Sequence, residues 1–410
     1  SMEQLVVFRA IQGIGAGAVL PIALTIIGDI YPLEQRARFQ GVFSSVWAVS
    51  SVLGPALGGF LTDHVHWRWV FLINVPVGAA ACGLLWLTLH EEIRPRPRRL
   101  DVAGALCLTG SVTTLLIALN EGGKSFGWTA PQTLGLLALS ALGLLSFVQV
   151  ERRVAEPLMP PQLFRHRIQV AANVGNFLSG VMLFGSTSFV PIFVQGVLGG
   201  SAVSAGSVLT PMSLCWTMGS VIGGRVLLRL GYRASAVIGM ALVLLAALLL
   251  VQLTEGSSLA IAVGSMAPLG MGLGFATLAY LLSVQNAVPW EQRGIATSAA
   301  QFFRTIGGSV GVAFMGAAFN ARAVAQLSSR GSGDLAVLNQ LLEPETRPLL
   351  GPALVEDLRD VLASSLSATF LLLVFVAAAG LIASWWLPGG RAEEHTWQAS
   401  QERRQSGSPR

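Results

Sequence analysis

Charge is scarce in this chain. Of its 410 residues only 11% are Asp, Glu, Lys or Arg, against about 25% in soluble globular domains. Lysine occurs only at Lys124. That deficit excludes a soluble domain of this length, and with it a soluble enzyme. Cysteine is also sparse: Cys82, Cys107 and Cys215 lie far apart in apolar segments, so neither a disulfide framework nor a metal site is implied. The formal net charge of +5 comes from short arginine clusters between apolar stretches. No basic run is interleaved with aromatics for base stacking, so nucleic acid is not expected as a partner. Neither a nucleophile–base constellation nor a Walker motif is found, and no cofactor is implied.

What is abundant is apolar sequence, at 53% of residues. A membrane span needs about 20 mostly apolar residues, and about eleven stretches qualify. The first five are Leu5–Ile30, Phe39–Leu61, Val70–Leu89, Val102–Leu119 and Thr133–Val150. Six more follow at Val170–Val194, Ala202–Gly223, Ala234–Leu253, Leu259–Leu282, Ile295–Phe319 and Leu366–Leu387. Lipid cannot satisfy free backbone groups and strand-like alternation is missing, so the expected class is an all-α polytopic membrane protein.

Arginine placement sets the orientation. Alternate loops hold Arg36 and Arg38, then Arg94, Arg96, Arg98 and Arg99, then Arg152, Arg153, Arg165 and Arg167. Arg225, Arg229, Arg233, Arg293 and the tail arginines fall on the same side, which is therefore cytoplasmic and includes the C-terminus. An odd number of spans then places Ser1 outside, with only Ser1–Gln4 before hydrophobic sequence and no signal peptide. Loss of upstream helices is the expectation, with a true N-outside chain as the alternative. The segment 91–99 is charged and proline-punctuated, a clear linker. The stretch 320–363 reads as a long external loop with short amphipathic surface helices, and the tail after Gly390 as disordered.

Several residues are unusual for plain membrane anchors. Gly54-Pro55-Ala56-Leu57-Gly58-Gly59 puts a proline and small residues inside a span, which suits tight helix packing and bending. Arg9 sits about one turn into the first span, where insertion costs about 2.5–3.5 kcal/mol at the helix centre. It either snorkels to the interface or faces the bundle interior to pair with a carboxylate, and no neighbouring span supplies that acid. Gly13-x-x-x-Gly17, Gly270-x-Gly272-x-Gly274 and Gly307-Gly308-x-x-Gly311 suit close helix packing rather than phosphate binding. Arg304 lies about one-third of the way into its span, and snorkelling and lining a central cavity are both open to it. Polar residues that could line a cavity include Asn74, Asn173, Asn176, Gln195, Gln285 and Asn286. Trp47, Phe177, Phe184, Trp216 and Phe302 could supply apolar surface. Asp63-His64-Val65-His66 reads as a solvated turn, not a metal site.

Three motifs in order carry a resemblance. They are Arg9-x-x-Gln12-Gly13-x-Gly15-x-Gly17, Gly54-Pro55-x-x-Gly58-Gly59 and Trp67-Arg68-Trp69-Val70-Phe71-Leu72-Ile73-Asn74-Val75-Pro76-Val77-Gly78. The chain resembles the major facilitator superfamily and, more narrowly, its fourteen-helix drug:proton antiporters of the EmrB/QacA type. The likeness makes the first helix here that family's fourth, so that eleven of fourteen helices are present. It implies a major facilitator fold, with residues 1–90 the remainder of an N-terminal bundle and 91–168 linkers and two extra spans. A C-terminal six-helix bundle at 169–390 and a tail at 391–410 complete the division. It also implies a multi-pass protein of a bacterial plasma membrane exporting small molecules in exchange for protons. Arg9, with Gln12, Gly13 and Gly17, matches the proton-coupling motif, and Gly54, Pro55, Gly58 and Gly59 match the antiporter motif. Gly224, Arg225, Arg229, Gly231 and Arg233 match a cytoplasmic gating loop.

Departures are visible as well. Ser50 stands where the antiporter motif opens with glycine, and Leu228 where the gating loop has its aspartate. The first-half copy of that loop and the first-helix acid facing Arg9 are absent. Ala202–Gly223 carries no acid, which favours lipophilic, weakly charged or neutral solutes. Dedicated export of a lipid, antibiotic or metabolite is the competing reading, and a truncated, non-transporting membrane protein is a third. Oligomeric state is not legible.

Overall fold

The structure is a computed structural model, and it describes residues 2–66, 68–88, 101–122, 127–330, 336–342, 346 and 350–390. The expected linker at 91–99, the tail at 391–410 and the motif residue Trp67 lie outside the described residues. All regular structure in the described part is helical.

The first group contains α1 (Met2–Ile30), α2 (Leu33–His64), α3 (Trp69–Leu72) and α4 (Asn74–Thr88). The break between α1 and α2 falls at Tyr31-Pro32, where proline takes extended backbone at the N-cap of α2. A hairpin of α5 (Val102–Gly122) and α6 (Pro131–Glu151) follows. It is closed by Ser140 Oγ donating to the Ser111 carbonyl across the two helices, at 2.9 Å. The Glu151 carboxylate then accepts from the Leu158 and Met159 amides and orders the next turn.

The second group contains α7 (Arg167–Ile192), α8 (Ala202–Ser207), α9 (Thr210–Val251), α10 (Leu259–Asn286), α11 (Arg293–Ser329), α12 (Ala336–Leu342) and α13 (Pro352–Trp385). Its helices α7, α9, α10, α11 and α13 enclose the main apolar core, with Met182, Phe193, Met240, Leu273, Tyr280 and Phe370 fully buried. No residue of α4 is buried, by contrast.

Close helix approach explains this core. A Cβ on Gly270 would overlap the Met212 carbonyl, and one on Gly274 the Trp216 carbonyl; both belong to the first arm of α9. Gly272 faces the other way, onto the Gly239 carbonyl in the second arm. The alternating glycines thus wedge α10 between two arms of one long helix. α7 and α11 meet in the same manner: Gly180 abuts the Arg304 carbonyl, Gly307 the Phe177 carbonyl, Gly308 the Phe184 ring and Gly311 Val181.

Among the described residues, nine helical stretches are long and apolar enough to cross a membrane, against the eleven expected. Two of the expected spans, Ala202–Gly223 and Ala234–Leu253, are joined as one helical run through α9. They change direction at Gly231, whose φ of 87° and ψ of 179° suit glycine alone. The second difference is α2, several of whose side chains are outside the described set. Helix α11 also continues to Ser329, well past the expected end at Phe319. Arg330 ties its end to α13 by ion pairs with Asp357, at 3.3 Å, and Asp360.

Candidate functional site

Arg9 is exposed on α1. Its Nη1 donates to Gln12 Oε1 at 2.8 Å, one turn further on, and its guanidinium lies 5.7 Å from the Phe71 ring centroid. The first and third motifs are therefore joined through a cation–π contact. Among the described residues Arg9 has no carboxylate partner. The described residues supply no partner for the close packing expected through Gly13 and Gly17. A Cβ added at either of them, or at Gly15 or Gly54, would meet no atom within 4 Å, because no described helix lies against those faces. Trp47, Pro55, Gly58 and Gly59 lie within α2, but their side chains are outside the described set.

The end of α1 and the start of α2 dock on the second group through buried polar contacts. Arg36 is 7% exposed. Its Nε donates to the Tyr31 carbonyl at 2.6 Å and its Nη1 to Asn286 Oδ1, at the end of α10, at 2.9 Å. Asn286 Nδ2 in turn donates to the Tyr232 hydroxyl at 2.8 Å. Beside this relay, Gln285 Nε2 donates to Thr297 Oγ1 at 3.1 Å and to the Leu24 carbonyl at 3.4 Å. Arg293 Nη1 reaches the Gly28 carbonyl at 3.1 Å. Burial, and then the neighbouring Arg293, push the Arg36 guanidinium below its ordinary value. A buried guanidinium in this setting is held by neutral acceptors.

The gating-loop residues divide. Gly224 is buried and Gly231 makes the bend, whereas Arg225 and Arg229 are exposed. Arg233 Nε donates to the Leu387 carbonyl at 2.6 Å, and Arg167 Nε to the Trp386 carbonyl at 2.7 Å. Two arginines therefore cap the C-terminal end of α13, where the helix dipole favours cations.

The cavity candidates are not all brought together. Asn74 is exposed at the start of α4, where its Nδ2 reaches the Val70 and Phe71 carbonyls at 3.4 Å. Trp216 packs against the core. Phe302 stacks edge-on against Phe303 at 5.6 Å, and its position two residues before Arg304 sends it to the opposite side of α11. Gln285 belongs to the docking seam. Phe177 meets Gly307 of α11 through its carbonyl, and Asn173 and Asn176 lie buried on the side of α7 that carries Gly180, the residue set against the Arg304 backbone. Sequence reasoning gave Arg36 and Arg293 only their charge, and Tyr232 and Asn286 no joint role. The signal available was an arginine four residues after Pro32, in the first turn of α2.

Residues 1–312 match the family described as Major Facilitator Superfamily. The chain belongs to that superfamily and is a multi-pass membrane protein. It is 38% identical over 322 residues to the multidrug transporter protein MdtP of Bacillus subtilis (strain 168), covering 78% of this chain and 60% of that protein. To multidrug resistance protein 3 of the same organism it is 35% identical over 383 residues, covering 91% and 75%. To the MFS-type efflux pump LUC4 of Fusarium sp it is 31% identical over 334 residues, covering 79% and 59%. The chain thus spans 60% of the length of the first of these relatives. A solved bacterial homolog of the human lysosomal transporter Spinster, inward-facing and occupied, aligns over 90% of this chain and 85% of that one. Its TM-score is 0.47 and its identity 18%.

Proposed function

We propose that this chain is a secondary transporter of the fourteen-helix drug:proton antiporter kind, exporting amphipathic small molecules in exchange for protons. The observation that carries the reading is the one-ended docking of the two helix groups. They are joined by the Arg36–Asn286–Tyr232 relay and by Gln285 with Thr297 and the Leu24 carbonyl, all where the end of α1 and the start of α2 meet α10 and α11. Alternating access needs such a seam, closed at one end and able to open while the other closes. The arginine distribution supports a cytoplasmic position for the sealed end. The names of the multidrug relatives support export of drug-like solutes, and that of the efflux pump from Fusarium keeps dedicated metabolite export as a second reading.

In this reading residues 1–90 and 169–390 are the two moving groups, with 91–168 between them. Gly54, Pro55, Gly58 and Gly59 limit leak, and Arg9 serves proton coupling through its planar fork on Gln12 and its stacking on Phe71. Arg9→Lys keeps the charge but loses both geometries. Proton-driven efflux of a lipophilic dye from cells is expected to fall about tenfold in that variant, the equivalent of about 1.4 kcal/mol. Efflux at the wild-type rate, at equal expression, would remove Arg9 from the coupling.

A further inference from the structure

No aspartate or glutamate lies in the interior of any described span. The acids of α1, α2, α5, α6 and α13 sit at helix ends, and α4, α7, α9, α10 and α11 contain none. Arg304 nonetheless stands about three turns into α11. Its guanidinium makes no hydrogen bond or ion pair with any described residue, so its charge is uncompensated inside the bundle.

The Arg304 carbonyl meets Gly180, and on the same face of α11 Gly307, Gly308 and Gly311 meet Phe177, Phe184 and Val181. Arg304 therefore emerges at the centre of the α7–α11 contact. Side chains on a helix lean toward its N-terminus, which carries the guanidinium toward the preceding turn. On α7, Asn173, Asn176 and Gly180 follow one another at i, i+3 and i+7, one side of the helix. Asn173 is 3% and Asn176 4% exposed, and Asn173 Oδ1 and Asn176 Nδ2 each lack a hydrogen-bond partner. Two buried carboxamides with open valences thus lie on the side of α7 that Gly180 sets against the Arg304 backbone, an arrangement a protein tolerates where a ligand completes the set.

We infer that Arg304 and Asn176 bind the oxyanion head of an amphipathic solute, a carboxylate or sulfonate, between α7 and α11. The guanidinium supplies paired donors matched to two oxygens, and Asn176 Nδ2 supplies another. Asn173 Oδ1 accepts from an N–H or O–H near the head, and Phe177 and Phe184 offer apolar surface to the adjoining part of the solute. This rests on the transport reading and names its substrate class, shifting it from neutral solutes toward lipophilic anions.

The test is equilibrium binding of 1-pyrenebutyrate and of its uncharged amide to the purified protein in phosphatidylcholine nanodiscs at pH 7.5. The wild type is expected to prefer the carboxylate about tenfold, and R304Q and N176L each to bring the ratio close to one, while R304K keeps part of it. Two variants on different helices keep the result readable should one fail to fold. Equal binding of carboxylate and amide by the wild type, or an unchanged ratio in folded R304Q, overturns the inference. An anionic phospholipid head is the other source of the same chemistry. If phosphatidylglycerol in the nanodisc displaces pyrenebutyrate at molar ratios near one, the site belongs to lipid and the solute assignment fails. Flux in vesicles is read separately: absence of transport for any probe would reject the transport reading while leaving the binding ratio as measured.

Discussion

Replacing Gly307 by leucine is expected to prevent the C-terminal helices from assembling. A Cβ there would overlap the Phe177 carbonyl, with the Phe177 Cα 2.8 Å away, so backbone rather than a flexible side chain would have to move. Gly308 and Gly311 hold α7 just as closely on the same face, leaving no room to tilt away. Overpacking that displaces backbone costs about 1–3 kcal/mol even for small intrusions, and a leucine at a closed crossing exceeds that range. Size-exclusion chromatography in mild detergent should show aggregate, and alanine an intermediate loss of melting temperature. Gly264→Leu in α10 is the control, because nothing lies within 4 Å of that position and the site is exposed. A monodisperse Gly307→Leu protein with wild-type melting would contradict the helix crossing.

Arg36→Ala is expected to loosen the seam between the two helix groups. The substitution strips Asn286 Oδ1 and the Tyr31 carbonyl of their donor. A buried group left unsatisfied costs about 1–3 kcal/mol, which corresponds to a shift toward the open seam of about fivefold or more. The readout is maleimide labelling of a single cysteine at position 25, where Thr25 faces Gly294 across the seam, in a background without Cys82, Cys107 and Cys215. Labelling from the arginine-rich side should accelerate by about the same factor. An unchanged rate would mean that the relay is packing without a gating role.

Long apolar runs made the helices legible, because a span's length and composition are local properties. The joined α9 was not, since the ten residues between its two expected spans can continue a helix and only Gly231 turns it. Glycine spacing revealed close packing in α10 and α11 but named no partner. In α1, Gly13 and Gly17 meet no described helix. Arg36, Asn286 and Tyr232 are ordinary residues singly, and their relay spans a sequence separation of 250 between arginine and asparagine. No periodicity encodes a contact of that range. Arg304 and Asn176 were both visible as polar residues in spans. Their place on facing helices became evident only once Gly180 set α7 against α11, and Phe302, expected as apolar cavity surface, falls on the other side of α11.

Proton-driven export is tested most directly in inside-out vesicles with an imposed pH gradient. A lipophilic fluorescent probe should accumulate in the lumen only when the lumen is acidic, and a protonophore should stop it. Accumulation at the same rate without a gradient, or none for neutral, anionic and cationic probes alike, would contradict the account.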